Sequence, residues 1–170
     1  MASLIDNLIN ILEDENAKYE QLLELSMKKT GIIVKGDVDT LNDIISEEQA
    51  LVDVISSIEK KRMAATEDIS IVLNRKPEEL TLPVLVELLS KQAEESTKLR
   101  RVHEKLKSTL SQMVKVNDHN QQLLQDSIDI LEFEMNIAQS LKQGPATANY
   151  SGNSYADDSY MGAGSFDAKQ

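Results

Sequence analysis

Residues 85–141 read LVELLSKQAEESTKLRRVHEKLKSTLSQMVKVNDHNQQLLQDSIDILEFEMNIAQSL. Leu85, Leu88, Gln92, Glu95, Leu99, Val102, Leu106, Thr109, Met113, Val116, Asn120, Leu123, Ser127, Ile130, Glu134, Ile137 and Leu141 follow one another at steps of three and four. That spacing returns each residue to one side of an α-helix, and sustained over many heptads it predicts coiled-coil-like packing between antiparallel neighbours. Thr81-Leu82-Pro83 can open the helix, because proline is tolerated in a first turn.

Two shorter runs precede it. Leu4, Leu8, Ile11, Glu15, Lys18 or Tyr19, Leu22, Ser26, Lys29 and Ile33 form the first, closed by Gly36. Asp37 can cap the second, which reads Leu41, Ile45, Glu48, Val52, Ile55, Glu59, Arg62, Ile69 and Leu73 and ends at Asn74-Arg75-Lys76-Pro77. The expected fold is all-α: a long antiparallel three-helix coiled coil or bundle with helices near 3–35, 38–74 and 83–141 and an extended last helix. Aromatics at 4%, three prolines and six glycines suit helices packed through Leu, Ile and Val.

Composition changes at Gly144-Pro145. Residues 144–170 hold four of the six glycines, three of the four tyrosines and no Leu, Ile or Val. Such a segment cannot bury a core, so the expected division is a helical domain over 1–143 and a disordered Gly/Tyr/Ser-rich tail. Asp157, Asp158 and Asp167 against Lys169 give the tail −2 of the chain's net −11. Tyr150, Tyr155 and Tyr160 recur every fifth residue, with Phe166 after them; they suit either docking points or a solvated spacer.

An acidic chain is a poor ligand for nucleic acid or anionic membrane. The basic cluster Lys98, Arg100, Arg101, Lys105, Lys107 is better read as a face paired with acids such as Glu94. No cationic leader precedes an apolar run and no apolar stretch reaches membrane-spanning length, so the expected location is the cytoplasm, without membrane insertion. Cysteine is absent, which removes disulfides and Cys-based metal sites. His103 and His119 lack metal-ligand spacing, Ser26-Met27-Lys28-Lys29 stands without the other motifs of its enzyme class, and the acid pairs (Glu47-Glu48, Glu78-Glu79, Glu94-Glu95) point to different helix faces. No catalytic site, metal or cofactor is expected.

Length locates a binding surface instead. At about 1.5 Å per residue the second helix is exhausted when the third reaches about residue 119, so the turns from Asn120 to Leu141 are expected to overhang. From Leu123 to Leu141, ten of 19 residues are apolar and spread beyond one face. Between Asn117 and Leu141 the charged groups are all acidic (Asp118, Asp126, Asp129, Glu132, Glu134). Burying about four such side chains yields on the order of 6–12 kcal/mol before the costs of association. A second protein chain is the expected cover; a tip buried by self-association or by the hairpin is the alternative.

Leu8 … Glu15 … Tyr19 … Leu22-Leu23 … Lys29, Val34-Lys35-Gly36-Asp37, Leu41 … Glu47-Glu48, Leu51 … Ile58-Glu59 … Arg62, and Val116-Asn117-Asp118-His119-Asn120-Gln121-Gln122-Leu123-Leu124 together resemble the FlgN family over roughly residues 4 to 141. The resemblance implies a cytoplasmic type III export chaperone of the bacterial flagellum. Such a chaperone binds the C-terminal amphipathic helices of hook-associated (hook–filament junction) proteins, prevents their premature association and delivers them to the export gate. It also implies client binding on the C-terminal part; by helix-in-groove recognition the client's apolar stripe is expected to cover Leu124, Ile128, Leu131 and Met135, spaced four and three apart, with Leu123, Ile130 and Ile137 on the flank. A gate-docking aromatic near the C-terminal end is implied too, for which Tyr150 is the candidate. The competing expectation is a self-associating coiled-coil scaffold or adaptor with no chaperone role.

Overall fold

A computed structural model describes residues 2–90 and 92–142. Four α-helices follow in order: α1 (Ala2–Lys35), α2 (Val38–Leu73), α3 (Leu82–Leu88) and α4 (Ala93–Lys142), with a 3-10 turn at Pro77–Glu79 between α2 and α3. The chain divides into two units, at Ile130 and Leu131. The described part of the second is the α4 stretch 131–142.

Each long helix in the first half stops for a local reason. Gly36 takes φ +68°, its N–H donates to Ile33 O at 3.0 Å, and Asp37 N–H donates to Ile32 O at 3.3 Å. These paired bonds satisfy carbonyls that the end of α1 leaves open. Asp37 then caps α2, accepting from Thr40 N at 3.1 Å and Thr40 Oγ1 at 2.6 Å. The same hydrogen bonds hold its carboxyl below the usual carboxylate range. Asn74 repeats the device at the end of α2, with φ +52°, its N–H on Ile71 O and Arg75 N–H on Ser70 O. Asparagine is among the few residues besides glycine that adopt this conformation at small cost.

α1 is the central helix. It packs antiparallel on α2, as Ser26–Glu48 and Tyr19–Glu59 show, and parallel to α4, as Asn16–Thr109 and Ser26–Asn120 show. Facing two neighbours requires a wide apolar face, and Ile5, Leu8, Ile9 and Leu12 are all buried. They form one core with Ala65 and Ile69 of α2, Leu80, Leu85, Val86 and Leu89 around α3, and Leu99, Val102 and Leu106 of α4. Apolar packing is therefore densest at the α3 end of the first unit.

Two expectations are corrected. The helix expected over 83–141 is interrupted: α3 ends at Leu88, Leu89 closes it, and α4 begins at Ala93. The corner lets Leu85, Val86 and Leu89 all enter the core while Leu88, placed inward by the heptad count, stays exposed. Ser96 Oγ clamps the corner by donating to Val86 O at 3.1 Å, both inside the fold. On α2, most of the expected inward positions are buried or half-buried, but two in its first half are not. Ile44, Ile55, Ile58, Ala65 and Ile69 are buried, whereas Ile45 and Val52 are exposed. The helix carries two apolar stripes, and α1 covers the one containing Ile44.

Candidate partner-binding site

Along α4 the inward stripe holds from Glu95 through Leu99, Val102, Leu106, Thr109, Met113, Val116, Asn120 and Leu123 to Ser127, all buried or half-buried. From Ile128 to Lys142 every residue is exposed. The uncovered stretch thus starts after Ser127 rather than at Asn120, and Leu123, expected on the binding flank, is half-covered. Of the other candidate residues, Leu124 is 37% exposed, Ile128 48%, Ile130 58%, Leu131 58%, Met135 59% and Ile137 44%. A helix shields much of its own side chains, so these values leave most of what a partner could bury still open. Phe133 and Leu141, at other angles round the helix, are exposed as well.

The polar residues of this stretch bond along the helix, Gln122 Nε2 to Asp126 at 2.8 Å and Gln125 Nε2 to Asp129 at 2.9 Å. Among the described residues, Asp118, Asp126, Asp129, Glu132 and Glu134 enter no ion pair. Uncompensated acids beside uncovered aliphatic side chains suit a partner with apolar and basic character.

Below this stretch the core becomes polar in layers. Glu15 is buried against Arg62, whose Nε lies 3.1 Å from Glu15 Oε2 without the alignment of a hydrogen bond. Burial pushes the Glu15 carboxyl up; Arg62 opposes this and Glu59 adds to it. Tyr19 donates to Glu59 at 3.4 Å, and burial, with Glu59 and Glu15 nearby, raises its hydroxyl pKa too. At the same level, on the side of α4, Thr109 Oγ1 donates to Asn16 Oδ1 at 3.1 Å. The last layer joins all three long helices. Lys29 Nζ (2.7 Å) and Ser26 Oγ (3.0 Å) donate to Glu48, Asn120 Nδ2 donates to Ser26 O (2.8 Å), and Thr30 Oγ1 donates to Asn120 Oδ1 (2.6 Å). Buried polar groups of this kind fix one register of the helices at little net gain in stability.

The Asn120 layer floors a cleft between α2 and α4. Its walls include Val52 on α2 and Met113, Asn117, Gln121 and Leu124 on α4, with Leu22, Ser26 and Lys29 beneath. Sequence reasoning missed the α2 wall because Val52 fitted the inward heptad. The available signal was that Val38, Ile45 and Val52 duplicate the apolar spacing of Ile44, Leu51 and Ile58 one residue earlier.

Catalytic arrangements do not assemble from the residues weighed for them. Ser26 and Lys29 both donate to Glu48, so neither faces the other as base and nucleophile. His103 borders an open cavity of about 720 Å³ beside Arg62, Met63 and Pro83, with Nδ1 3.8 Å from Glu104, beyond hydrogen-bond reach. Among the described residues no His, Cys, Asp or Glu trio could hold a metal ion, and no helix is long and apolar enough to cross a membrane. Lys98 pairs with Glu94 at 2.7 Å and Lys105 with Glu20 at 2.9 Å, so part of the basic cluster is matched by acids. Tyr150 and the tail over 144–170 lie outside the described residues.

Comparison with known proteins bears on the whole chain. The family model described as FlgN protein matches residues 1–156. The match runs past the helical body and takes in Tyr150 and Tyr155, beyond the extent expected from the sequence motifs. Over 119 residues the chain is 28% identical to the uncharacterized protein YvyG of Bacillus subtilis (strain 168), covering 70% of this chain and 71% of that one. No solved structure matches.

Proposed function

This chain belongs to the FlgN family of flagellar export chaperones, and on that premise we propose that it captures the C-terminal amphipathic helices of hook–filament junction proteins on the last turns of α4. The exposed stripe Leu124, Ile128, Leu131 and Met135, spaced four and three apart, carries the proposal. A client helix laying its own stripe there buries both apolar faces, the helix-in-groove mode of recognition. Coverage prevents premature association of the client, which is then delivered to the export gate. The protein acts by binding in the cytoplasm, without catalysis, cofactor or metal. Leu123, Ile130 and Ile137 flank the contact, and Tyr150 is the proposed gate-docking aromatic.

Pull-down of a hook-associated protein by Ile128→Asp and Leu131→Asp variants tests the placement. Both are exposed, so helix content by circular dichroism should match the unaltered chain while client capture is lost. Retained capture by both variants sinks the α4 site. A stable dimer whose mass a client peptide leaves unchanged would favour the self-associating scaffold instead. Deleting residues 144–170 should spare client capture and weaken gate docking; unchanged docking removes Tyr150 from the role.

A further inference from the structure

The second apolar stripe of α2 has no cover. Val38, Ile45 and Val52 recur every seventh residue, within about 40° of one another round the helix. They remain 63%, 48% and 44% exposed. Val52 lines the same cleft as Leu124, on its other wall, so its stripe faces the cleft and not the outside of the hairpin.

The hydrogen bonds of the floor set the levels of the two walls. Glu48 and Asn120 both bond to Ser26 and mark one height. Toward the α1–α2 turn, Ile45 lies three residues beyond Glu48 and Leu124 four beyond Asn120, about 4.5 and 6 Å up at 1.5 Å per residue. Val38 and Ile128 stand about 15 and 12 Å up by the same measure. The α2 and α4 stripes therefore climb side by side over a polar floor.

The edges carry charge. Asp39 and Asp53 each follow a stripe residue by one position, so both stand on the outer edge of the α2 wall; Ile44, one position before Ile45, is buried on the inner side. Glu48 is already committed to Lys29 and Ser26. The tail of this chain offers the cleft no aliphatic stripe and brings the same sign of charge to its edge, because 144–170 has no Leu, Ile or Val and a net charge of −2. A second copy would set the same acidic edge against its like in a chain of net −11.

From these observations we infer that the cleft between α2 and α4 receives an amphipathic helix of another protein as a fourth bundle helix. Its Leu/Ile/Val stripe lies between the Val38–Ile45–Val52 and Leu124–Ile128 walls, and Lys or Arg lies along the edge that meets Asp39 and Asp53. The inference rests on the α4 binding reading and extends it to α2, which makes client recognition two-walled.

The probe is a dye-labelled amphipathic peptide of about 21 residues, three heptads, with Leu and Ile on one stripe and Lys along its edge. Its twin carries Glu in place of Lys. Anisotropy titrations of the full chain should show Ile45→Asp with Val52→Asp weakening the Lys peptide at least about tenfold, roughly the loss of one well-buried aliphatic contact. Val54→Asp, on the opposite side of α2 and also exposed, should change it less than about twofold, and the Glu twin should bind at least about tenfold more weakly. Because the chain lacks cysteine, Ile45→Cys gives a second readout: it should form a disulfide with a stripe cysteine in the peptide, and Val54→Cys should not.

If Ile128→Asp abolishes binding while the α2 pair leaves affinity unchanged, the two-walled cleft is overturned and the α4 reading stands. If neither affects binding, both fall. Failure of the Lys peptide to bind the unaltered chain overturns the stated partner chemistry. A more than tenfold gain on deleting 144–170, or a dimer that Ile45→Asp dissolves, identifies another occupant and overturns the inference.

Discussion

Asn120 offers the sharpest test of how the three long helices are held in register. It is 2% exposed, its Nδ2 donates to Ser26 O at 2.8 Å, and its Oδ1 accepts from Thr30 Oγ1 at 2.6 Å. Asn120→Ala removes both bonds, each worth about 1 kcal/mol net, and leaves a gap the size of an amide. Thr30 retains a fallback, since its hydroxyl already lies 3.3 Å from Ser26 O, which keeps the loss to about 2–3 kcal/mol. Asn120→Leu fills the gap beside Leu22 and should cost only about 1 kcal/mol, because apolar replacement of a buried polar group is well tolerated. Urea unfolding followed at 222 nm reads the difference. With a slope of about 2 kcal/mol per molar, the midpoint should fall by about 1–1.5 M for Ala and about 0.5 M for Leu. A fall below about 0.3 M for Ala, at unchanged slope, would show that water satisfies Asn120 and that the layer does not hold α4 to α1.

Gly36→Ala should destabilise by about 1 kcal/mol, read by the same unfolding assay. A methyl there meets nothing within 4 Å, so the cost comes from the positive φ alone and Gly36→Asn should recover part of it. Glu15 has a folded pKa raised above its unfolded value, so its contribution is fully present below pH 4.5 and is lost as pH rises through the raised value. Glu15→Gln should therefore gain stability relative to the unaltered chain on going from pH 4 to pH 7 in paired thermal melts; a gap that narrows over that range refutes the sign. Leu99→Ala, at a fully buried position, should cost about 2–5 kcal/mol in urea unfolding. Amide exchange should be slowest around Leu8–Leu12, Ala65–Ile69 and Leu99–Leu106 and faster around Leu22–Ile33, where polar layers replace the apolar core.

Periodicity and caps made much of the fold legible. The ends of α1 and α2 were signalled by Gly36, Asp37 and Asn74, whose backbone chemistry is local. The polar residues at inward positions, Glu15, Ser26, Lys29, Glu48, Thr109 and Asn120, were visible as breaks in the heptads, but their partners were not, because pairing depends on the level at which helices meet. The corner at Leu89–Gln92 was hidden since a heptad count carries on through a bend; Leu88 fits the count, yet Val86 fills the core. On α2 both stripes are aliphatic at the same seven-residue spacing, so the position of α1 decides which is buried. Relative helix lengths gave the uncovered end of α4 to within two turns, Asn120 against Ser127, as the helices start at levels the sequence does not state.

The parallel pairing of α1 with α4 has a consequence for how the chain acquires its structure. Asn16 waits for Thr109 and Ser26 for Asn120, separations of 93 and 94 residues, whereas α1 meets α2 across the short turn at Gly36-Asp37. During synthesis the α1–α2 hairpin can close early, but the α4-facing side of α1, marked by Asn16 and Ser26, stays wet until nearly the whole body has left the ribosome. Docking of α4 is then the slow, late step of folding. The contacts of Asn120 with Ser26 and Thr30 belong to that step, and they lie beside the surface proposed for a partner helix.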